Sequence, residues 1–244
     1  MSFANIWPFF VSAIIGYLIG GIPTAYIITK TVTGIAPQNF GSGSVSTRNT
    51  IRATGLFPGG TITFSVDSIK GMFAVAIVEY AIAPFAEDPA IFTEYYVIVC
   101  AFMAVIAHCW MPYLSFQGGK GLGTYVGLLF YFYWPAAFYW IFMLFLLIKL
   151  SGFSGIGACW SAITVPPFFY LIDVITTKLS MTTLPIAFWP HTYFNDGLFG
   201  WSFILLYAVG MWIILVLRHI PEFRKIKRGD AQAWKSLKTD EMLK

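Results

Sequence analysis

The run I-W-P-F-F-V-S-A-I-I-G-Y-L-I-G-G-I-P-T-A-Y-I-I-T occupies residues 6–29 and contains no acidic, basic or histidine side chain. Roughly 20 apolar helical residues cross the ~30 Å hydrocarbon core of a bilayer, so this stretch decides the fold class in favour of a membrane protein. No basic residue precedes it and no small-residue cleavage site is apparent, so a retained span is expected rather than a cleaved signal. Composition agrees. Of 244 residues, 58% are hydrophobic, 19% aromatic and only 11% charged, where soluble domains carry about 25% charged residues. Cys100, Cys109 and Cys159 all fall in apolar segments, which points to buried, inert thiols rather than a disulfide framework or a metal site.

Working outward, further apolar runs place spans at 59–83, 91–114, 121–134, 135–151, 154–173 and 196–217, about seven in all. The expected fold is an all-α polytopic membrane protein, a compact bundle forming a single domain over 1–217. Polar loops at 30–58 and 115–121 and a basic tail at 218–244 complete it. Trp134-Pro135 is read as a tight turn or a kink between the fourth and fifth spans, and Pro23, Pro112, Pro166 and Pro167 as kinks. The aromatics from Tyr131 to Trp140 are read as interfacial belt and lipid-facing surface.

Charge placement orients the bundle. With the N-terminus outside, the inner segments hold Lys30, Arg48, Arg52, Lys120, Lys149, Arg218, Arg224, Lys225, Lys227 and Arg228. The outer segments hold Glu87, Asp88 and Asp173 with only Lys178. The positive-inside rule therefore favours an outside N-terminus and a cytoplasmic C-terminus, which requires an odd span count. The net charge of +4 is mostly this topology signal. The basic tail suits anionic membrane lipid, and no nucleic-acid partner is needed to explain it.

Three polar clusters fall on the inner face under this topology. The first is G-S-G-S-V-S-T-R-N-T-I-R from Gly41 to Arg52, where helical spacing puts Arg48 and Arg52 on one face. The second runs from His108 to Lys120 and ends in S-F-Q-G-G-K-G-L-G-T, residues 115–124. Clustered glycine amides and one ammonium suit a phosphate, although no Ser or Thr follows Lys120, so this is not a Walker loop. A glycine-rich helix crossing explains it about as well. The third cluster is Arg218-His219 with Glu222. Ionisable groups near a membrane interior are costly, so a convergent set suggests a site; simple snorkelling to the interface is the plainer explanation for any one of them. Asp67 and Lys70, at i, i+3, are read as a separate ion pair securing the second span. His191 and Asp196 fit H-x4-D, a general-base spacing of coenzyme-A-type acyltransferases, but this match is read as chance.

These residues, in this order, resemble the bacterial acyl-phosphate:glycerol-3-phosphate acyltransferases. The family's first region reads close to G-S-G-N-x-G-A-T-N-x-x-R and falls on Gly41 to Arg52, followed by D-x-x-K-G on Asp67 to Gly71. Its second, close to G-H-x-x-P-x-x-x-x-F-K-G-G-K-G-x-A-T, falls on Ala107 to Thr124. A serine-bearing segment falls on Ser154, and R-H-x-x-N on Arg218, His219 and Glu222. The chain departs at Ser44, Ser46 and Arg48 (Asn, Gly and Thr in the pattern), at Gln117 (Lys) and at Glu222 (Asn).

The resemblance implies a seven-span enzyme of the bacterial inner membrane, with its active site facing the cytoplasm. It implies acyl transfer from acyl phosphate to the 1-hydroxyl of glycerol 3-phosphate, giving lysophosphatidate and inorganic phosphate. No cofactor and no metal is expected, and the working state is expected to be a monomer. The catalytic set implied is Ser42, Arg52, Lys120 and His219, with Ser42 binding rather than attacking because no His-Asp relay adjoins it. The binding set is Gly41, Gly43, Arg48, Asn49, His108, Gly118, Gly119, Gly121, Ser154, Arg218 and Glu222. His108, His219 and a substrate phosphate oxygen are the candidate bases. The Glu222 carboxylate would repel an anionic acceptor unless protonated or paired, with Arg48 or Arg218 as the expected partner. Two rival readings are a divergent paralogue with another donor or acceptor, and a non-catalytic protein binding anionic lipid.

Overall fold

The computed structural model describes residues 3–87, 89–178 and 198–231, and no strand occurs among them. The helices are α1 (Phe3–Gly20), α2 (Thr24–Thr33), α3 (Thr47–Thr54), α4 (Thr61–Ile77), α5 (Pro89–Cys109), α6 (Leu122–Ser151), α7 (Ser154–Ile163), α8 (Val165–Lys178) and α9 (Leu198–Arg228). Six helical stretches among them are long and apolar enough to cross a membrane: Ile6–Thr33, Thr61–Phe85, Phe92–Leu114, Leu122–Ser151, Ser154–Ile172 and Leu205–Arg228. The spans expected at 121–134 and 135–151 both fall within Leu122–Ser151, where two helical segments are joined across a kink. Pro135 lacks an N–H and crowds the preceding turn, so the helix breaks at Tyr133 (φ −163°, ψ 94°) and resumes at once. Packing groups the chain into two compact units, Met1–Leu128 and Leu129–Trp234.

In the first unit α1 packs most extensively on α5. Gly16 and Gly20 sit against the backbone of Cys100 and Ala104, so a methyl group at either would strike the facing helix. Bilayer helices gain no hydrophobic drive from meeting one another, so small residues that admit close backbone approach carry such crossings. Between α1 and α2 the chain breaks at Gly21-Ile22-Pro23, and Lys70 Nζ donates to the Ile22 carbonyl at 2.9 Å. The same carbonyl also accepts from Thr24 N at 3.0 Å, so the polar backbone exposed by the break is satisfied within the protein. The first turns of α4 and α6 are also close: Ser68 Oγ donates to the Gly123 carbonyl at 3.0 Å.

In the second unit α7 packs on α9, with α8 touching both. The aromatic segment is not uniformly lipid-facing as expected. Phe132 and Trp140 are buried and Tyr131 nearly so, whereas Trp134 and Phe138 are exposed. Phe132 meets Tyr207 edge-on, centroids 5.1 Å apart, and Tyr139 stacks on Phe168 at 4.1 Å. A helix with bulky rings all round offers some to neighbouring helices and some to lipid, and sequence periodicity does not separate the two. His191, Asp196 and the tail beyond 231 lie outside the described residues.

Candidate active site

The first cluster is organised by one buried amide. Gly41 and Gly43 take left-handed φ of 55° and 69°, which turns the chain back over α3. Asn49, 1% exposed, fills the bend. Its Nδ2 donates to the carbonyls of Pro37, Phe40 and Ser44, each at 3.0 Å, while its Oδ1 accepts from Ser42 N at 3.1 Å. A Cβ at Gly41 would stand 2.6 Å from that Oδ1. Asn49, expected to bind substrate, thus serves as the loop's internal hydrogen-bond hub. Its buried amide meets backbone on both sides, as a buried polar group must.

The serines of the loop form a line. Ser42 Oγ lies 2.8 Å from Ser44 Oγ, and Ser44 Oγ lies 2.9 Å from Ser46 Oγ. Ser46 caps α3, its hydroxyl accepting from Asn49 N at 3.4 Å. Gly41, Ser42 and Gly43 are exposed, while Arg48 and Arg52 are half-buried. Arg52 Cδ comes within 3.9 Å of the Cβ position of Gly41, which brings its side chain to the loop.

The second cluster folds back over the end of α5. After the turn Pro112–Leu114, Ser115 and Phe116 hold φ of 50° and 61°, a strained conformation for side chains of their kind. Gly118 and Gly119 then lie flat on α5, against the His108 carbonyl and the His108 ring respectively. The Gly119 amide donates to the His108 carbonyl at 3.0 Å. Of the glycine amides of this loop, which were expected to suit a phosphate, that of Gly119 is therefore taken by the chain itself. Lys120 is half-buried, and Gly121 (φ 80°) turns the chain into α6. A Cβ at Gly119 would stand 3.1 Å from the Val45 carbonyl, and Val45 packs with Ala25 and Met111. The structure thus brings the Gly41–Arg52 and His108–Lys120 clusters together inside one unit.

Asp67 and Lys70 are not separate from this site. Their ion pair (2.7 Å, both side chains 3% exposed) lies beneath the second loop, with His108 Nδ1 3.6 Å from Asp67 Oδ1. Gly123 permits this, since a Cβ there would stand 2.9 Å from Asp67 Cβ. Lys70 also reaches the break between α1 and α2, so one buried pair ties α4, α5 and that break together. Removing either partner would leave a buried charge, which is costly.

The third cluster belongs to the second unit. Glu222, on α9 below Arg218 and His219, places Oε1 3.0 Å from both Ser154 Oγ and Gly155 N, at the start of α7. Glu222 thus meets the N-terminus of α7, whose outward amides favour an anion. His219 is fully buried, and its Nδ1 lies 2.7 Å from the Leu215 carbonyl. A carbonyl only accepts, so Nδ1 carries a proton and donates it to Leu215. A Cβ at Gly155 would stand 3.0 Å from Glu222 Cδ and 3.1 Å from His219 Cδ2, so glycine is what lets both side chains reach α7.

Sequence reasoning missed the roles of Ser44, Ser46 and Gly155. The alternation S-x-S-x-S over 42–46 was the available signal for the first two; Gly155 offered none.

The chain matches the family model described as Glycerol-3-phosphate acyltransferase over residues 10–229. It is 34% identical over 154 residues to glycerol-3-phosphate acyltransferase 2 of Moorella thermoacetica, spanning 63% of this chain and 73% of the relative. It is 30% identical over 182 residues to glycerol-3-phosphate acyltransferase of Thermosynechococcus vestitus, spanning 73% and 86%. The fold is similar to crystal structures of PlsY (YgiH), an integral membrane glycerol 3-phosphate acyltransferase. Its glycerol 3-phosphate form gives a TM-score of 0.68 at 19% identity, covering 94% of this chain and 96% of the other. Its lysophosphatidic acid form gives 0.65 at 19% identity, covering 96% and 98%.

Proposed function

Because this chain belongs to the glycerol-3-phosphate acyltransferase family by its match over residues 10–229, it is a membrane glycerol-3-phosphate acyltransferase, and we propose that its donor is an acyl phosphate and its product lysophosphatidate. The observation that carries the proposal is the meeting of the two glycine loops in the first unit. The exposed Ser42 hydroxyl and the half-buried Arg52 and Lys120 side chains are all borne by a backbone whose own bonds are largely made internally.

Arg52 and Lys120 hold the donor's phosphate by charge-assisted bonds, and Ser42 donates a hydrogen bond to it. The 1-hydroxyl of glycerol 3-phosphate attacks the acyl carbonyl carbon. The new ester C–O bond forms as the bond to phosphate breaks, and the hydroxyl proton leaves with inorganic phosphate. An acyl phosphate is already activated, so proximity and charge stabilisation supply most of the acceleration. Arg48 adds positive charge on the face of Arg52. For the second unit, acceptor-orienting roles are proposed for Ser154, Arg218 and His219. The basic residues Lys30, Arg48, Arg52 and Lys120 support placing loops 30–58 and 115–121 in the cytoplasm of a bacterium, with the N-terminus outside the inner membrane. A single transmembrane domain over 1–217, an odd number of spans and a monomeric working state complete the proposal.

The test is phosphate release by the purified protein given palmitoyl phosphate, with and without glycerol 3-phosphate. Release that depends on the acceptor and is lost in Arg52→Ala supports the reading; none, from folded protein, sinks it. A second reading, another acceptor, is favoured by the Glu222 carboxylate at the start of α7. It predicts that Glu222→Asn improves use of glycerol 3-phosphate while weakening use of the other acceptor in a panel.

A further inference from the structure

The three hydroxyls at 42, 44 and 46 are consecutive in space as well as alternate in sequence, at 2.8 and 2.9 Å. A hydroxyl has one proton to give and two lone pairs with which to accept. Ser46 Oγ already accepts the Asn49 amide, so its own proton is available to Ser44, and that of Ser44 to Ser42. In that order the Ser42 proton is left over at the exposed end of the line. We propose that Ser42, Ser44 and Ser46 form a polarised hydroxyl chain, anchored on the α3 cap, which makes Ser42 a strengthened and directed hydrogen-bond donor to the substrate's phosphate.

Each link polarises the next, so an anion at Ser42 selects the outward order over the reverse. The Asn49 bonds to Ser42 N, and to the Ser44 carbonyl, hold the outer two backbones in register with the cap. Ser44 and Ser46 are positioning residues here, acting through Ser42. The family pattern places Asn and Gly at these two positions, so the line is a feature of this chain. The proposal rests on the phosphate-holding role given to Ser42 above.

The experiment compares wild type, Ser42→Ala, Ser44→Ala, Ser44→Thr, Ser46→Gly and the double variant Ser42→Ala/Ser44→Ala in detergent micelles. Two quantities are read: kcat/KM with palmitoyl phosphate, and the rise in melting temperature on adding inorganic phosphate. Glycine is a tolerated helix cap, so Ser46→Gly removes the hydroxyl with little cost to α3. Ser44→Ala is expected to lose about tenfold in kcat/KM, the scale of one hydrogen bond to an anion, together with part of the phosphate-induced stabilisation. Ser44→Thr restores both, Ser46→Gly loses less, and the double variant is no worse than Ser42→Ala.

Unchanged values in Ser44→Ala, or losses that add in the double variant, overturn the chain. A wild type that phosphate does not stabilise overturns it too. If phosphate stabilises the wild type but no turnover is seen, the reaction proposed above falls, and the hydroxyl chain is judged on the melting temperatures alone.

Discussion

Helix α3 in the first unit and helix α7 in the second both begin with amides that no turn of their own helix satisfies, and the two ends are closed differently. At α3 the cap is local and neutral: the Ser46 hydroxyl accepts from Asn49 N, three residues on. At α7 it is distant and acidic: Glu222, 68 positions away from Ser154, brings a carboxylate from α9. A hydroxyl that caps still has a proton to offer, so α3 passes its polarity outward through Ser44 to an exposed serine. A carboxylate that caps has none. The Glu222 cap absorbs the positive end of α7 and fastens two helices together. The positive charges proposed to hold the donor's phosphate, Arg48, Arg52 and Lys120, sit in the first unit, on α3 and the second glycine loop.

The comparison breaks first, and by the largest effect, if Arg52 proves dispensable. Arg52→Ala is expected to lower kcat/KM by about 10²- to 10³-fold, the scale seen when a preorganised electrostatic donor is removed, with an unchanged melting curve. Near-normal turnover would mean that phosphate is held elsewhere. Next comes Asn49→Asp, a change of one atom. It keeps the acceptor for Ser42 N but turns a donor into an oxygen facing three carbonyls, at a cost of about 2–3 kcal/mol. Denaturant unfolding checks the cost, and hydrogen exchange should quicken over 37–46 while α7 stays protected. Equal quickening in both regions would show that the two units do not respond separately.

Glu222→Ala uncaps α7 and is expected to cost about 1 kcal/mol, with faster exchange at Gly155. Glu222→Gln keeps a side-chain acceptor for Ser154 and Gly155 and loses only the charge, so about half of that is expected. If Gln costs as much as Ala, the charge carries the cap; if neither matters, Glu222 is held by something other than α7.

Much of the fold was legible because charge is scarce in this chain. The uncharged run at 6–29 and the clustering of Lys and Arg in a few loops mark spans and polar segments by solvation cost alone. The join at 134–135 was half legible: Pro135 announces a break, but whether the chain turns or resumes its helix depends on what packs beside it. The contact of Glu222 with α7 was hidden for a similar reason. Arg218 is its i−4 neighbour and so the natural guess from sequence, whereas Ser154 and Gly155 lie far away in the chain and meet it only where α7 packs on α9.

By itself the sequence determined the membrane class, the approximate spans and the glycine-rich, basic and serine-bearing motifs, since these follow from hydrophobicity, charge and residue identity. Only the tertiary structure decided which polar groups remain open to a ligand. Asn49 and the Gly119 amide look like binding groups as letters, yet Pro37, Phe40 and Ser44 occupy the one and His108 the other. The physical reason is that a buried donor or acceptor takes whichever partner the folded backbone brings within about 3 Å. That choice is made by left-handed turns at Gly41 and Gly43 and by helices that touch, neither of which a residue carries alone.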